Sequence, residues 1–426
     1  MRVVIVGNSA AALAAAESFR RFDSTSELWL VARESGPAYS RVLLPYVLRG
    51  SLPREKLFIR TSADYRKLGV RTHFGSAVRR VEDRRRTLVL EDGRTLSWDR
   101  LLIATGARPV LPRVKDLKGE GVHTLWTLAD ADRLAPELLP GRRLVLIGSG
   151  FVSLQAAWAA HVRGLRVGVV EVLPRILPKV LDAKASALLE ERMQQYGVEV
   201  RCSVGIERIE RPAGGDPPLR LVLSCENTCI DADLLVIGAG VRPNIEFLEG
   251  TAVALAPGGA GILVDACMRT SVAGIFAAGD AALGPSFFGE PHAAHALWPT
   301  AVEQGAVAGA NLAGRERVYQ GSLNMNVAEL FGLTVASLGQ FLPSGAPDET
   351  AVEEHDPRSG RYVKLVYLSG VPKGGIVLGS PDDLAVLAAL RPQLRARRAG
   401  AVDTGRPFAG PHRTLSRPTL VSRVRR

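Results

Sequence analysis

Short apolar runs alternate with alanine-rich helical stretches through much of the first 320 residues. Arg2-Val3-Val4-Ile5-Val6 leads into Gly7-Asn8-Ser9-Ala10-Ala11-Ala12. Arg143-Leu144-Val145-Leu146-Ile147 leads into Gly148-Ser149-Gly150-Phe151-Val152-Ser153. This alternation predicts an α/β fold with a parallel sheet covered by helices. The first unit ends its second strand at Leu28-Trp29-Leu30-Val31. An Arg- and turn-rich segment (79–100) reads as a β-meander before Leu101-Leu102-Ile103-Ala104-Thr105-Gly106. Past Pro109 and Pro112 the pattern repeats around Gly148, with a meander near Leu219–Ile230 and a return strand, Leu234-Leu235-Val236-Ile237-Gly238-Ala239-Gly240. Gly261 to Asp280 reads as a return to the first domain. From about Leu323 to Leu390 a smaller α+β piece follows, with Val363-Lys364-Leu365-Val366-Tyr367 as its clearest strand.

Composition narrows the class. With 426 residues, 46% of them hydrophobic, the chain has enough apolar side chains for two or three domains. The first strand starts at residue 2, no apolar run approaches the roughly 18 residues of a membrane span, and four cysteines are too few for a disulfide framework. A cytoplasmic location is expected. Of the net charge of +11, residues 391–426 contribute +9, from ten arginines against Asp403 alone. The segment 396–426 is expected to be a disordered basic tail, either simply solubilising or docking an acidic partner.

The glycine turns carry the chemistry. A dinucleotide turn needs no side chain at its first position, little at its second, and a small residue at its third, where helix and strand pack. The first reads Gly7, Ser9, Ala12; the second reads Gly148, Gly150, Ser153. An acid about 20 residues on accepts hydrogen bonds from the adenosine ribose and repels a 2′-phosphate. Glu171 holds that place after the second turn and favours NAD(H) over NADP(H), although Arg175 lies four residues further on. After the first turn the candidate is Glu34, with an exposed loop acid as the alternative.

With these elements placed, the chain resembles the FAD-dependent pyridine nucleotide–disulfide reductase superfamily over roughly its first 390 residues. Leu102 to Pro109 resembles the exit from the FAD domain, and Gly238-Ala239-Gly240-Val241-Arg242-Pro243-Asn244 the exit from the NAD domain. Thr270 through Ile275-Phe276-Ala277-Ala278-Gly279-Asp280 resembles the second FAD signature. The resemblance implies two Rossmann-like domains, the FAD domain (1–112 and 243–322) interrupted by the NAD(H) domain (113–242), then an α+β interface domain (323–395) and the tail. It implies FAD contacts at Gly7, Ser9, Ala12, Glu34, Arg41, Val78, Ala104, Thr105, Gly106, Gly279, Asp280 and Trp298. For NAD(H) it implies Gly148, Gly150, Ser153, Glu171 and Gly240.

Two stretches, Tyr39-Ser40-Arg41-Val42-Leu43-Leu44-Pro45-Tyr46 and Leu297-Trp298-Pro299-Thr300-Ala301-Val302-Glu303-Gln304-Gly305, resemble one branch. So do Ser322-Leu323-Asn324-Met325-Asn326 with Phe331-Gly332-Leu333, and Gly375 to Gly379 before a short helix. That branch contains rubredoxin reductases, the flavin module of assimilatory nitrite reductase and the flavin subunits of tungsten-type aldehyde oxidoreductases. Coenzyme A disulfide reductases and NADH peroxidases carry a redox cysteine where this chain has Val42, and valine cannot serve as a thiolate. Cys225 and Cys229 lie in the second meander, far in sequence from the flavin motifs. No metal set is expected from them or from His292 and His295.

Without that cysteine the flavin is the last redox centre in the chain. It links a two-electron hydride carrier to one-electron centres. Pro299 suits the first turn of a helix whose N-terminus, in the resembling family, faces the flavin pyrimidine edge. Trp298 is then a pocket wall or ordinary core, and Arg41 a flavin-side cation or a solvated loop residue. The leading expectation is an FAD-dependent NAD(H) oxidoreductase exchanging electrons with an iron–sulfur or rubredoxin-like protein or subunit, in either direction. The alternatives are a ferredoxin reductase of an oxygenase system, an NADH oxidase, an NADH-responsive redox-controlled binding module, and nucleic-acid binding by the tail.

Overall fold

The computed structural model describes residues 1–398 apart from 216, 226, 227 and 343. It divides into two compact units, Met1–Val167 with Ile206–Leu323, and Gly168–Gly205 with the chain from Asn324 onward.

In the first unit, five parallel strands lie in the order Ile275–Ala277, Arg100–Ile103, Arg2–Val6, Glu27–Ala32, Val70–Phe74. Val3, Val4, Ile5, Leu101, Leu102 and Ile103 are all fully buried, as strands covered on both faces must be. The Arg2–Val6 strand has the next strand in sequence on one side and a later strand on the other. The order therefore reverses at this strand, which is where open α/β sheets bind ligands.

Two helices, Ala10–Arg20 and Trp298–Leu312, press together on this sheet through small residues. A Cβ added at Gly305 would sit 2.2 Å from the Ala11 carbonyl oxygen, and one at Gly309 equally close to that of Ala15. The Ser18 hydroxyl donates to the Ala306 carbonyl at 2.7 Å. The alanine run of the first helix is thus half of a close helix pair, its ridge of four-residue spacing fitted against two glycines. The expected meander is antiparallel, Val78–Glu82, Thr87–Leu90 and Thr95–Ser97.

A second parallel group, Val122–Thr124, Leu234–Ile237 and Arg143–Ile147, carries the Phe151–Val162 helix. Between the two groups the chain crosses twice, and the crossings pair with each other. Ala107–Pro109 and Val241–Pro243 form an antiparallel ribbon. The Thr105 hydroxyl donates to the Asn244 carbonyl at 2.7 Å, and the Asn244 side-chain amide returns a bond to the Thr105 carbonyl at 3.0 Å. Arg108 closes on Glu246, whose carboxyl is pulled down to about 2 chiefly by that hydrogen bond.

In the second unit, Gly168–Val170 pairs in parallel with Glu199–Arg201, and the Ala183–Gln195 helix lies between them in sequence. The Asn324-onward part is a five-stranded antiparallel sheet ordered Met325–Leu330, Leu333–Gly339, Val371–Gly379, Arg361–Leu368, Glu349–Asp356. The closing helix is longer than the short one expected. It spans Leu384–Arg398 with Pro392 inside, so residues 396–398 of the anticipated tail are helical. The remainder of that tail lies outside the described residues. No helix among the described residues is long and apolar enough to cross a membrane.

Replacing Gly305 with alanine is expected to lower stability by about 1–3 kcal/mol, because the obstructing atoms are backbone and cannot rotate away. Urea unfolding of Gly305→Ala beside Ala306→Gly separates this overpacking from a change in helix propensity.

Candidate functional site

The parallel sheet sets the site by topology. Gly7 follows the Arg2–Val6 strand, Glu34 the Glu27–Ala32 strand, Ala104 to Gly106 the Arg100–Ile103 strand, and Gly279 with Asp280 the Ile275–Ala277 strand. These strands are parallel neighbours, so all four groups stand at one carboxyl edge. In order across the edge they are Asp280, Thr105, Gly7 and Glu34. At about 4.8 Å per strand the row spans about 14 Å, the scale of an extended dinucleotide.

Close backbone approach explains the glycines. Gly7 has φ +129°, and a Cβ there would meet the Ala104 carbonyl oxygen at 2.1 Å. Gly148 has φ +90°, and a Cβ would lie 2.4 Å from the Gly238 oxygen. The third fingerprint positions do the packing expected of them. Ala12 is fully buried, and a Cβ at Gly238 would sit 1.8 Å from the Ser153 hydroxyl. Gly279 is held by Gln304, whose side-chain oxygen accepts its N–H at 2.8 Å.

The helix starts divide into two kinds. Ser62–Lys67, Leu128–Leu134 and Ala183–Gln195 are closed by Thr61, Thr127 and Asp182, the first two with full capping boxes. Like the five-residue helix Leu44–Leu48, the helices beginning at Ala10, Phe151 and Trp298 have no side-chain cap and no acid in the first turn. A helix start leaves up to four amide groups without intrahelical partners and carries partial positive charge. These three starts follow Gly7-Asn8-Ser9, Gly148-Ser149-Gly150 and Leu297, the places the sequence assigns to two pyrophosphates and the flavin ring. Pro299 lies in the first turn of its helix, as its fixed φ favours.

Charge is concentrated around Arg41. Its guanidinium pairs with Glu34 and donates to the Trp126 carbonyl at 2.8 Å. The Tyr39 hydroxyl donates to Glu34 at 2.6 Å and accepts from the Leu128 N–H at 2.8 Å. Burial pushes the Asp280 carboxyl above the ordinary aspartate range, and the nearby Arg41 charge works against that rise. Arg41 is thus paired with Glu34, and its charge also favours the ionised form of Asp280. Glu34 and Arg41, singled out separately in the sequence, are partners of one another.

Other candidates land differently. Val78 is 9% exposed and belongs to the hydrophobic core, and Trp298 is partly buried against that core. The Thr105 hydroxyl and the Gly240 carbonyl are committed to the crossing ribbon, the latter accepting from the Val110 N–H at 2.9 Å. In the second unit Glu171 is 7% exposed and its carboxylate accepts from the Leu173 N–H at 2.9 Å. Val42 stands 51% exposed in the short turn Arg41–Leu43. No cysteine accompanies it: all four thiols are elsewhere, and burial pushes Cys202 up to about 11 and Cys267 above its ordinary value. No cluster of three or more metal-ligating side chains exists among the described residues. Sequence reasoning missed Tyr39, Trp126 and Gln304 as supports, since each acts on a partner far away in the chain.

The pyridine nucleotide-disulphide oxidoreductase family model matches residues 1–305. The chain belongs to this family. Like its relatives it is an oxidoreductase, with FAD and NAD(H) as cofactors. The epsilon subunit of an NADH-dependent phenylglyoxylate dehydrogenase from Aromatoleum evansii is 31% identical over 88% of this chain and 87% of that one. The ferredoxin–NAD(+) reductase component of the p-cumate 2,3-dioxygenase system of Pseudomonas putida is 35% identical over 67% and 68%. Among solved structures, the ferredoxin reductase for the CYP199A2 system of Rhodopseudomonas palustris aligns with a TM-score of 0.81 at 26% identity, covering 90% and 92%.

Two variants separate the sites. Gly7→Ala is expected to purify without flavin absorbance near 450 nm. Gly148→Ala is expected to keep its flavin but to be bleached by NADH at least about tenfold more slowly. Asp280→Asn gives a pH signature. A carboxyl whose folded pKa is raised destabilises the fold once pH exceeds its unfolded value near 3.9, and the penalty is full above the folded pKa. Flavin-free Asp280→Asn is therefore expected to melt higher than the flavin-free parent at pH 7. The gap should close as pH falls toward 4, while FAD binding is weaker in the variant.

Proposed function

We propose that this protein links NAD(H) to a separate one-electron carrier, an iron–sulfur or rubredoxin-like protein or subunit. The domain bounds proposed for this reading are 1–112 and 243–322 for FAD, 113–242 for NAD(H) and 323–395 for the interface domain. The observation that carries it is Val42, exposed where a thiol-based member would need its cysteine. Bound FAD supplies hydride acceptance on one side and single-electron release on the other. The chain's own residues bind and orient. The amides ahead of Ala10 hold one pyrophosphate and those ahead of Phe151 the other. Arg41, beside Glu34, offsets phosphate charge, and the helix start at Trp298 stabilises negative charge on the reduced ring. Glu171, on its spacing from the Gly148 turn, is proposed to hold the NAD(H) ribose and to disfavour the 2′-phosphate.

Relatives of two kinds support the reading, a dehydrogenase subunit and a dioxygenase-system reductase. Residues 391–426, with +9 of charge, would favour encounter with an acidic partner.

With NADH and ferricyanide the flavoprotein is expected to turn over at least about 100-fold faster than with oxygen alone, a rate ratio equal to about 2.7 kcal/mol of barrier. Stopped-flow absorbance with an oxygen electrode measures both. Rapid oxygen consumption matching NADH loss would replace the proposal with an NADH oxidase.

A further inference from the structure

The second unit holds a buried ionic cluster outside the residues that contact cofactors. Asp182 starts the Ala183–Gln195 helix, and its carboxylate accepts from the Ala185 N–H at 2.9 Å. The same carboxylate accepts from the Tyr362 hydroxyl at 3.0 Å and the Lys364 ammonium at 2.9 Å. Asp182, Tyr362 and Lys364 are 8%, 0% and 5% exposed. Lys364 also reaches Glu353 at 3.3 Å, and Lys184 lies 5.2 Å from the centre of the Tyr362 ring.

Both members of the central pair are charged at neutral pH. Burial opposes the Lys364 charge, but Asp182 and Glu353 outweigh it and hold the ammonium above the ordinary lysine range. Burial likewise opposes the Asp182 charge, and the Ala185 N–H with Lys364 overcomes it. Such a pair contributes little net stability, because desolvation offsets much of the attraction. What it does supply is a fixed position for Asp182.

That position matters to the loop it ends. The loop starts at Glu171, whose N–H donates to the Arg201 carbonyl at 2.8 Å and whose carboxylate is hydrogen-bonded to the Leu173 amide. The Ile176 carbonyl is held by the Ser186 hydroxyl at 2.8 Å. Leu177 has φ +46°, a left-handed conformation that a leucine keeps only when its surroundings enforce it. Strand pairing fixes one end of the loop, and Asp182 fixes the other.

We propose that Tyr362 and Lys364 are positioning residues which, through Asp182, hold the 171–182 loop so that Glu171 can engage the NAD(H) ribose. On this view the C-terminal sheet sets the affinity for NAD(H). The inference rests on the assignment of Glu171 to that ribose.

The test compares Lys364→Met, Tyr362→Phe, Glu171→Ala and the Lys364→Met/Glu171→Ala double variant as FAD-loaded enzymes, with NADH and ferricyanide. Lys364→Met is expected to raise KM for NADH about fivefold, and Tyr362→Phe about twofold, with kcat and FAD per chain unchanged. The double variant should show the KM of Glu171→Ala alone, since both act on one contact. If Lys364→Met does not fold, Tyr362→Phe decides. Unchanged KM in the folded cluster variants, with a raised KM in Glu171→Ala, overturns the positioning role and leaves the ribose assignment standing. Unchanged KM in Glu171→Ala overturns that assignment, and with it the route through Glu171.

Discussion

A helix start leaves its first amide groups without intrahelical partners, and several helices among the described residues have no side-chain cap to supply them. Those beginning at Ala10, Phe151 and Trp298 lack a side-chain cap and a first-turn acid, whereas Thr61, Thr127 and Asp182 close others. Partial positive charge is left at each bare start, a favourable place for an anionic group. Most other features of the first unit serve to bring these starts to the right place. Gly7 and Gly148 allow the turns, and Gly305 and Gly309 let the Trp298–Leu312 helix lie directly against the first. Gln304 ties that helix to Gly279.

The route of the chain adds a second constraint. The two crossings pair through Ala107–Pro109 and Val241–Pro243, with Thr105 and Asn244 bonded to each other. A paired ribbon resists twisting more than two separate linkers would. Trp126 and Leu128 take part in the same region, bonding Arg41 and Tyr39 beside the candidate FAD residues. Charge at that site and the path of the chain are therefore linked through a few hydrogen bonds.

Much of this was legible in the sequence because it follows from local rules. The Arg2–Val6 and Arg143–Ile147 strands, their glycine turns, the meanders and Pro299 at a helix start all arise from residues adjacent in the chain. What escaped depends on contacts between distant segments. Nothing near Asp182 announces Lys364, which lies in another strand system of the second unit, and nothing near Ala11 announces Gly305. Thr105 and Gly240 were chosen for the cofactors, yet the ribbon engages both, a pairing that their local motifs do not encode. Val78, implied by the resemblance as an FAD contact, has its side chain in the hydrophobic core. The final helix ran on to Arg398 because Leu387, Leu390 and Leu394 are buried at helical spacing, an apolar stripe interrupted in sequence by Pro392.

The central claim is that electrons entering from NADH reach the flavin and no thiol beyond it. An anaerobic titration of the FAD-loaded protein with NADH, followed by flavin absorbance, measures this directly. The account expects complete bleaching at one NADH per FAD, with no further equivalent taken up. Uptake of two NADH per FAD, accompanied by the appearance of new reactive thiols, would contradict it.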